Sequence, residues 1–489
     1  MIRRQVLALI SLSLIPLLLQ TPARAQEKPN FLFIFADDQA FDTVGALGNT
    51  EIETPNLDRL VVAGTTFTHA YNMGGYHGAI CVASRTMFIT GRYLWHARTA
   101  ERTLKQEYQA KKQTWPQLLA SAGYDTYFTG KWHVKADPNV VFKVARHVRG
   151  GMPRQTKEGY NRPIDGKPDP WSPSDPKFGG FWQGGKHWSE VVGDDACDYL
   201  DLASKSENPF FMYIAFNAPH DPRQAPKEYV DKYPTEKIAL PKPFLPEYPF
   251  QIGSNRIRDE RLAPFPRTEN SVKVNRREYY AIISHMDAQI GRILEALKES
   301  GKYENTYIFF GADHGLAVGH HGLMGKQNMF DHSVRVPMMM VGPDIEKNKR
   351  KPARVYVQDI MPTTLELAGV PKPDRVQFKS LLPLVQGKTQ RLYDSIYGAY
   401  THTQRHLTQG DYKIILYPQI GKTLLFNLKK DPLETTDLAG NPEHIQRIAQ
   451  LKTRLKKWQP VTGDGLDLDS PKPLAKKKKP KTKQETKRR

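Results

Sequence analysis

Two pairs of candidate metal ligands end apolar segments that lie far apart in the sequence. Asp37 and Asp38 close the segment NFLFIFADD, and Asp313 and His314 close TYIFFGADH. Two carboxylates at the end of a buried strand need a cation, because an uncompensated buried charge is costly. Oxygen ligands favour a hard ion such as Ca²⁺ or Mg²⁺, whereas the histidine also suits softer metals. Each aspartate taken alone has a second interpretation, as the N-cap of the next helix.

Several residues that carry or can take up positive charge occur in comparable positions, after apolar segments or inside glycine-bounded loops. They are Arg85, Lys131, His133, His220 and Lys326. Cationic side chains beside a metal are typical of a pocket for a tetrahedral oxyanion, either sulfate or phosphate. The segment GAICVASRTMFITGR adds Cys81, one of only two cysteines in the chain. A cysteine in such polar company indicates a chemical role rather than a packing role.

Together these segments resemble the motifs of the formylglycine-dependent sulfatases of the alkaline phosphatase superfamily, in the family's order. The segments are PNFLFIFADDQ, TPNLDRL, CVASRTMFITGR, GKWH, APHDP, GADHG, HGLMGK and RVP, all within residues 29–370. In that family a formylglycine-generating enzyme oxidises the signature cysteine to an aldehyde, and the aldehyde hydrate attacks the sulfur of a sulfate ester. The resemblance therefore implies a sulfuric ester hydrolase with formylglycine at position 81.

The same resemblance implies roles for individual residues. It implies one calcium ion held by Asp37, Asp38, Asp313, His314 and the modified Cys81. Arg85 would stabilise the aldehyde hydrate, and Lys131 and Lys326 would bind the sulfate oxygens. His133 would orient or deprotonate the hydrate. His220 would protonate the leaving alcohol, a step that alkyl leaving groups need.

An irregular insert at 134–190 bears on the substrate, and residues 240–270 have a similar composition. Arginine and tryptophan in such an insert can pair with sulfates and stack on sugar rings, so we expect a sulfated carbohydrate. The candidate substrate-binding residues are Arg146, Arg149, Arg154, Trp171, Trp182 and Trp188 in this insert, with His320 and His321 before Lys326. The alternative is that the tryptophans pack within the insert itself.

Two other functions remain open from the sequence. A phosphatase or phosphodiesterase of the same superfamily would need a serine or threonine nucleophile and ligands for two zinc ions. This chain instead has Lys131, His133 and Lys326 where the second zinc would bind. A non-catalytic protein that binds sulfated glycans would use the same pocket with an unmodified Cys81. The chemical state of Cys81 decides between hydrolysis and binding.

Strand-like and helix-like patterns alternate along the chain, which predicts an α/β fold with a large mixed, mostly parallel sheet between helices. Three apolar segments end in polar clusters, at 37–38, 217–220 and 313–314. Ligands bind at the carboxyl ends of such strands, so these clusters predict one shared site. Later patterns predict a smaller C-terminal α+β domain with an antiparallel sheet. We expect a catalytic domain at 26–372 and a C-terminal subdomain at 373–462.

The first 25 residues have the features of a secretory signal peptide. Arg3 and Arg4 precede the apolar run VLALISLSLIPLLL, and ARA at 23–25 supplies small residues for cleavage. We therefore expect the chain to be exported and to be periplasmic or secreted. The alternative, a membrane anchor, is disfavoured because the run is short and interrupted by Pro16.

The basic balance of the chain, a net charge of +20, comes mainly from its C-terminus. Residues 471–489 contribute nine of these charges and almost no apolar side chains, so we expect 463–489 to be a disordered basic tail. Contact with anionic polysaccharide or membrane surfaces is the favoured interpretation of this tail. Nucleic-acid binding is not expected of an exported protein.

The second cysteine, Cys197, lies in the segment VVGDDACDYLDLA with apolar neighbours at helical spacing. This pattern predicts a buried, inert thiol. Because oxidation would consume Cys81, we expect no disulfide between the two cysteines.

Overall fold

The structure, a computed structural model, describes residues 27–151, 156–178, 182–183, 185–253 and 256–470, with the backbone alone described at 182–183. The predicted signal peptide and most of the predicted basic tail lie outside these residues. None of the helices in this described part combines the length and the apolar character that a membrane span requires.

The described residues form sixteen strands and twelve α-helices, numbered here in chain order. The strands are β1 (Asn30–Asp37), β2 (Thr65–Tyr71), β3 (Gly74–Gly75), β4 (Asp125–Lys131), β5 (Val144–Arg149), β6 (Trp182–Gln183), β7 (Lys186–His187), β8 (Phe210–Pro219), β9 (Thr306–Ala312), β10 (Arg335–Val336), β11 (Met338–Val341), β12 (Lys349–Tyr356), β13 (Ile396–Tyr400), β14 (Gln404–Gln409), β15 (Tyr412–Tyr417) and β16 (Lys422–Asn427). The helices are α1 (Pro55–Ala63), α2 (Ile80–Thr90), α3 (Leu94–Arg102), α4 (Trp115–Ser121), α5 (Pro138–Val141), α6 (Trp188–Ser204), α7 (Lys227–Asp231), α8 (Glu269–Glu299), α9 (Asp331–Val334), α10 (Ile360–Leu367), α11 (Leu382–Val385) and α12 (Ile445–Thr462).

The largest sheet of the described residues has nine strands and surrounds β1. Its order is β10–β2–β11–β9–β1–β8–β4–β5, and β12 pairs with β2. Strands β9, β1, β8, β4 and β5 run parallel, whereas β11 is antiparallel to both of its neighbours. Every residue of β1 is buried, as expected for a parallel strand covered on both faces. The predicted mixed, mostly parallel sheet is confirmed.

Two groups of helices pack on this sheet. Phe33 and Phe35 of β1 contact Phe88 of α2, and Phe33 also contacts Trp115 of α4. The long helix α8 contacts α1, α6 and α7, and both α6 and α8 contact β8. The amphipathic helices predicted from the sequence therefore bury their apolar faces against the apolar strands.

The second sheet joins the C-terminal part of the chain to the region before Cys81. Its order is β16–β15–β14–β13–β3, antiparallel except for the β13–β3 pair. Gly74 of β3 has a φ of 91°, and a Cβ at this position would lie 2.0 Å from the carbonyl oxygen of Ala399. Glycine alone allows this approach. The predicted antiparallel sheet is confirmed, and it also includes two residues from the first part of the chain.

Cys197 is less buried than the sequence predicted. Its thiol lies on α6 and is partly exposed, so the prediction of a buried thiol is wrong. Charged side chains, among them Arg292 and Asp194, lie close enough to affect its pKa, whereas the sequence predicted apolar surroundings. The partial burial still raises the pKa of this thiol. Cys81 and Cys197 are both free in this structure.

A buried ion cluster connects β15 of the second sheet to the start of α9 and to Glu434, which follows β16. Lys413 is fully buried, and its Nζ lies 2.7 Å from both Asp331 Oδ1 and Glu434 Oε1. We expect Lys413→Met to lower the free energy of unfolding by about 3–5 kcal/mol, because Glu434 loses its paired cation and Asp331 keeps only the 3.7 Å contact with Arg335. Urea unfolding measures this difference.

Lys456→Met is the matched control for this prediction. Lys456 pairs with Asp469, also at 2.7 Å, but both side chains are largely exposed. Removing this pair is expected to change stability by less than about 1 kcal/mol. Equal losses in the two variants would show that the buried cluster contributes no more than a surface pair.

Candidate active site

The structure brings the five predicted metal ligands into one cluster. Their ligand atoms lie within 4.8 Å of one another, and all five side chains are buried. The cluster consists of Asp37, Asp38, Cys81, Asp313 and His314. Residues from three distant parts of the sequence therefore form one polar centre inside an apolar domain.

The parallel sheet positions the carboxylates of this cluster. Asp37 is the last residue of β1, and Asp313 directly follows β9, whose Ala312 pairs with Ala36. Parallel neighbours end at the same edge of the sheet, which is why the two strand ends meet. Asp38 has a left-handed backbone with φ 72°, and its N–H donates to Asp313 Oδ1 at 3.0 Å. This hydrogen bond connects the two strand ends directly.

Cys81 enters the cluster from the first turn of α2. Only 2% of it is exposed, and its Sγ lies 3.4 Å from His314 Nε2 and 3.7 Å from Lys326 Nζ. Burial acts to raise the pKa of this thiol, but Lys131, Lys326 and His314 lower it well below the usual value of 9.0. The side chain at position 81 is therefore held in an environment that favours a negatively charged or electron-rich group.

Two lysines bring positive charge to the carboxylates. Lys131, the last residue of β4, is paired with Asp37, and both side chains are fully buried. Lys326 donates to the two carboxylate oxygens of Asp38 at 2.9 and 2.7 Å. Burial opposes the charge of both lysines, yet Asp37 raises the pKa of Lys131 and Asp38 raises that of Lys326. Both ammonium groups therefore stay protonated at the site.

Arg85 is fully buried, one turn after Cys81 on α2. Its Nη1 donates to the Lys131 carbonyl oxygen at 2.6 Å, and its Nε lies 3.4 Å from Asp313 Oδ2. Burial opposes its charge, but Asp313 keeps the pKa of Arg85 above its usual value. The residue therefore stays cationic and connects α2 to the ends of β4 and β9.

Two histidines face the cluster from loops. His220 Nδ1 lies 2.7 Å from the Asp221 carbonyl oxygen, so Nδ1 donates there, and Nε2 lies 3.7 Å from Asp38 Oδ2. His133 follows β4 with a left-handed backbone, φ 51°, and it is among the groups that lower the pKa of the Cys81 thiol. Both histidines therefore lie in loops close to the cluster.

The chemistry of the cluster fits a hard divalent cation. Asp37 Oδ1 and Asp313 Oδ2 are buried and have no hydrogen-bond partner within the described part of the chain. Burial, reinforced by the nearby Asp313 carboxylate, raises the pKa of Asp37 to about 6. A cation between these carboxylates would supply the missing partner of both oxygens and relieve their repulsion. Asp38, His314 and the side chain at position 81 complete an oxygen-rich ligand set.

Three of the predicted substrate-binding residues have partners within the protein. Arg146 donates to Asp198 Oδ2 at 3.1 Å. The guanidinium of Arg149 lies 4.7 Å from the ring centre of Trp188. Trp188 is 3% exposed and begins α6, so it cannot stack on a sugar ring without a rearrangement. Arg149 and Trp188 therefore pack on each other instead of projecting together into the cluster.

Of the remaining predicted substrate-binding residues of the insert, Trp171 is also packed within the protein. Trp171 is 5% exposed, and its ring centre lies 4.7 Å from that of Phe178, so it packs inside the insert as the alternative interpretation held. Arg154 and the side chain of Trp182 lie outside the described residues. Sugar stacking on Trp171 and Trp188 is therefore not supported by their positions.

His320 and His321 are buried in the loop before Lys326, and neither belongs to the cluster of five candidate metal ligands. The ring of His321 stacks on Phe330 at 4.1 Å, and its Nε2 lies 3.0 Å from the Glu434 carbonyl oxygen. His320 Nδ1 lies 2.6 Å from the Ala317 carbonyl oxygen. Burial lowers the pKa of both rings, which stay neutral. Their observed contacts hold the loop before Lys326 and reach the C-terminal part of the chain.

Comparison with known proteins relates this geometry to a family. The sulfatase family model matches residues 29–370, and a model described as N-sulphoglucosamine sulphohydrolase, C-terminal, matches residues 319–460. An arylsulfatase of Clostridium perfringens (strain 13 / Type A) is 30% identical over 472 residues, which cover 88% of this chain and 94% of that protein. The match therefore extends across both sheets.

Solved structures share the fold. BT4656 in complex with its substrate D-glucosamine-2-N,6-O-disulfate has a TM-score of 0.69 at 21% identity, covering 91% of this chain and 100% of that chain. The phosphonate monoester hydrolase of Agrobacterium radiobacter has a TM-score of 0.72 at 19% identity, covering 89% and 96%. These likenesses establish the architecture. The extent of the family match and the identity to the arylsulfatase go further, and they show that this chain belongs to the sulfatase family of sulfuric ester hydrolases.

Proposed function

We propose that this protein hydrolyses sulfate esters of carbohydrates, with a formylglycine made from Cys81 and a Ca²⁺ ion bound by the cluster around it. The observation that carries the proposal is the position of the Cys81 sulfur, 3.4 Å from His314 and 3.7 Å from Lys326 among buried carboxylates. The sugar sulfate in the BT4656 structure and the family model named for N-sulphoglucosamine sulphohydrolase support the substrate class.

The residues around position 81 have separate tasks in this reaction. Formylglycine would supply a hydrated aldehyde as the oxygen nucleophile for the ester sulfur, and Ca²⁺ would supply positive charge beside the sulfate. Lys131 and Lys326 balance the negative charge that builds up on the sulfate oxygens. His133, which lowers the pKa of the thiol at position 81 and therefore lies beside it, orients the nucleophile. His220 points Nε2 toward the site and protonates the leaving oxygen.

A panel of defined esters tests the proposal. Protein co-produced with a formylglycine-generating enzyme is incubated with sulfated mono- and oligosaccharides and with 4-nitrophenyl sulfate, and the released sulfate is measured by ion chromatography. Turnover of a sugar sulfate, together with an aldehyde at Cys81 found by peptide mass spectrometry, is the expected result. Turnover of 4-nitrophenyl sulfate without turnover of any sugar sulfate would contradict the substrate class.

A phosphonate or phosphate ester is the second candidate substrate. The TM-score of 0.72 to a phosphonate monoester hydrolase favours its inclusion in the panel. Phenyl phenylphosphonate is the matched ester for phenyl sulfate, since the leaving group is the same. We expect the sulfate to react faster. A faster reaction of the phosphonate would make this second candidate the preferred function.

Two further proposals rest on sequence alone. The signal-like residues 1–25 support export, and cell fractionation with N-terminal sequencing of the mature protein tests it. The basic residues 471–489 support contact of the C-terminal tail with anionic surfaces. Earlier elution from a heparin column by a chain that ends at residue 470 is the expected result, and unchanged elution would contradict it.

A further inference from the structure

The two irregular inserts meet each other close to the candidate active site. The N–H of Asn161 donates to the carbonyl oxygen of Arg261 at 2.6 Å. The guanidinium of Arg261 lies 5.6 Å from the ring centre of Tyr160. Arg261 belongs to a single 3₁₀ turn, Asp259–Leu262, which lies close to the loops that carry His220 and Lys326. Its first residues and the preceding Arg258 each contact a different part of those loops.

Arg258 holds the residue that follows His220. Its Nη1 and Nη2 donate to the two carboxylate oxygens of Asp221 at 2.5 and 3.2 Å. Asp221 is 3% exposed, its Oδ1 lies 3.1 Å from His220 Nδ1, and its carbonyl oxygen accepts from the same nitrogen. A bidentate arginine–carboxylate pair is rigid, so Arg258 sets the orientation of the His220 ring through Asp221.

Asp259 connects the same turn to the loops that carry Lys326 and Cys81. Its Oδ2 accepts from Gln327 Nε2 at 2.7 Å and lies 3.9 Å from Lys326 Nζ. The same Gln327 amide also donates to the carbonyl oxygen of Gly78, three residues before Cys81. Through Gln327, Asp259 thus connects the loop of Lys326 to Gly78, just before the helix that carries Cys81.

Glu260 anchors the residues just before Lys326. Its carboxylate accepts the backbone N–H groups of Met324 and Gly325, both at 2.8 Å, and pairs with Arg267 at 2.7 Å. Glu260 is 3% exposed, so these bonds are shielded from water. A loop whose two backbone donors are held by one buried carboxylate has little freedom to move Lys326.

We propose that Arg258, Asp259 and Glu260 form a positioning segment, through which the second insert sets the orientation of His220 and the place of Lys326. The inference rests on the proposed function, since it assigns tasks to those two residues. None of the three residues of the segment belongs to the metal cluster. The members of the segment act on different residues. Arg258 orients His220, the proton donor to the leaving group, and Glu260 positions Lys326, which binds the sulfate oxygens.

Arg258→Gln and Glu260→Gln test this division with esters that differ in their leaving group. Phenolate is a more basic leaving group than 4-nitrophenolate, so its departure depends more on a proton from His220. A misplaced His220 therefore slows the hydrolysis of phenyl sulfate more. We expect Arg258→Gln to lower kcat for phenyl sulfate about tenfold more than for 4-nitrophenyl sulfate. Glu260→Gln is expected to lower kcat/KM for both esters by the same factor, about tenfold. Arg258→Lys, which keeps the charge, is expected to restore part of the phenyl sulfate rate.

Arg261→Gln is the matched control, since Arg261 lies in the same turn, is exposed and keeps its backbone bond to Asn161. Thermal midpoints of all variants separate a folding defect from a change in rate. Equal loss for both esters in Arg258→Gln, or no loss at all, would overturn the positioning role. Absence of sulfate ester turnover in the matured wild-type protein would instead overturn the proposed function on which it rests.

Discussion

Replacing Cys81 with alanine is expected to abolish sulfate ester hydrolysis, with a loss of at least about 10⁴-fold in kcat. The reason is that alanine can neither be oxidised to an aldehyde nor supply any other nucleophile at this position. The side chain at position 81 is 2% exposed and is one of the five buried ligand side chains, and the other four are aspartates and a histidine without a hydroxyl or thiol to replace it. Released sulfate, measured at saturating 4-nitrophenyl sulfate, checks the result.

Cys197→Ala is the matched control for this prediction. Cys197 is the other cysteine, lies partly exposed on α6 and is not part of the metal cluster, so its removal is expected to leave kcat unchanged. Mass spectrometry of residues 78–92 measures the aldehyde in each preparation. Cys81→Ser in a host whose modifying enzyme requires cysteine is expected to be as inactive as alanine. Full activity from a protein whose Cys81 is an intact thiol would disprove the nucleophile.

Replacing Asp313 with asparagine is expected to give the second largest effect, a loss of at least about 100-fold in Ca²⁺ affinity and in activity at a fixed Ca²⁺ concentration. Asp313 Oδ1 accepts the N–H groups of Asp38 and His314, both at 3.0 Å, and asparagine can keep both bonds. The substitution removes mainly the charge and the Oδ2 atom, which has no hydrogen-bond partner among the described residues and lies 3.4 Å from Arg85 Nε. The loss therefore reports on the charge of Asp313 and not on the connection between β1 and β9.

Calcium content provides a readout of this variant that does not depend on activity. Elemental analysis after dialysis is expected to find Ca²⁺ in the wild-type protein and in Asp411→Asn, a change at an exposed aspartate between β14 and β15. Asp313→Asn is expected to retain far less. Equal calcium content in Asp313→Asn and the wild type would refute the assignment of this ligand. A chelator should also lower the thermal midpoint of the wild type more than that of Asp313→Asn.

The two irregular inserts, 134–190 and 240–270, differ from the sequence prediction in how they contact the site. The sequence composition of 134–190 and 240–270 suggested direct sugar binding, and Trp171 and Trp188 turned out to be buried within the protein. The second insert instead reaches the site through Arg258 and its neighbours, which hold Asp221 and the loop of Lys326. Trp171 and Trp188 are therefore not positioned to stack on a sugar ring.

The sequence by itself determined the family, the class of fold and the positions where chemistry is expected. A parallel strand covered on both faces must be apolar along its length, so carboxylates such as Asp37 and Asp38 stand out where the apolar run ends. The same argument located Asp313 and His314, and parallel strand geometry explains why the two pairs meet. An apolar run that ends in polar residues is a local pattern, so one short segment of sequence is enough to recognise it.

Only the tertiary structure decided how irregular segments contact one another. The pairing of Gly74–Gly75 with β13, the stacking of His321 on Phe330 and the contact of Arg258 with Asp221 have no counterpart in any local pattern. The partial exposure of Cys197 likewise has no counterpart in its helical pattern. The physical reason is that a loop residue has no periodicity to indicate its buried face. Which residues it contacts depends on how distant segments of the chain pack around the common core.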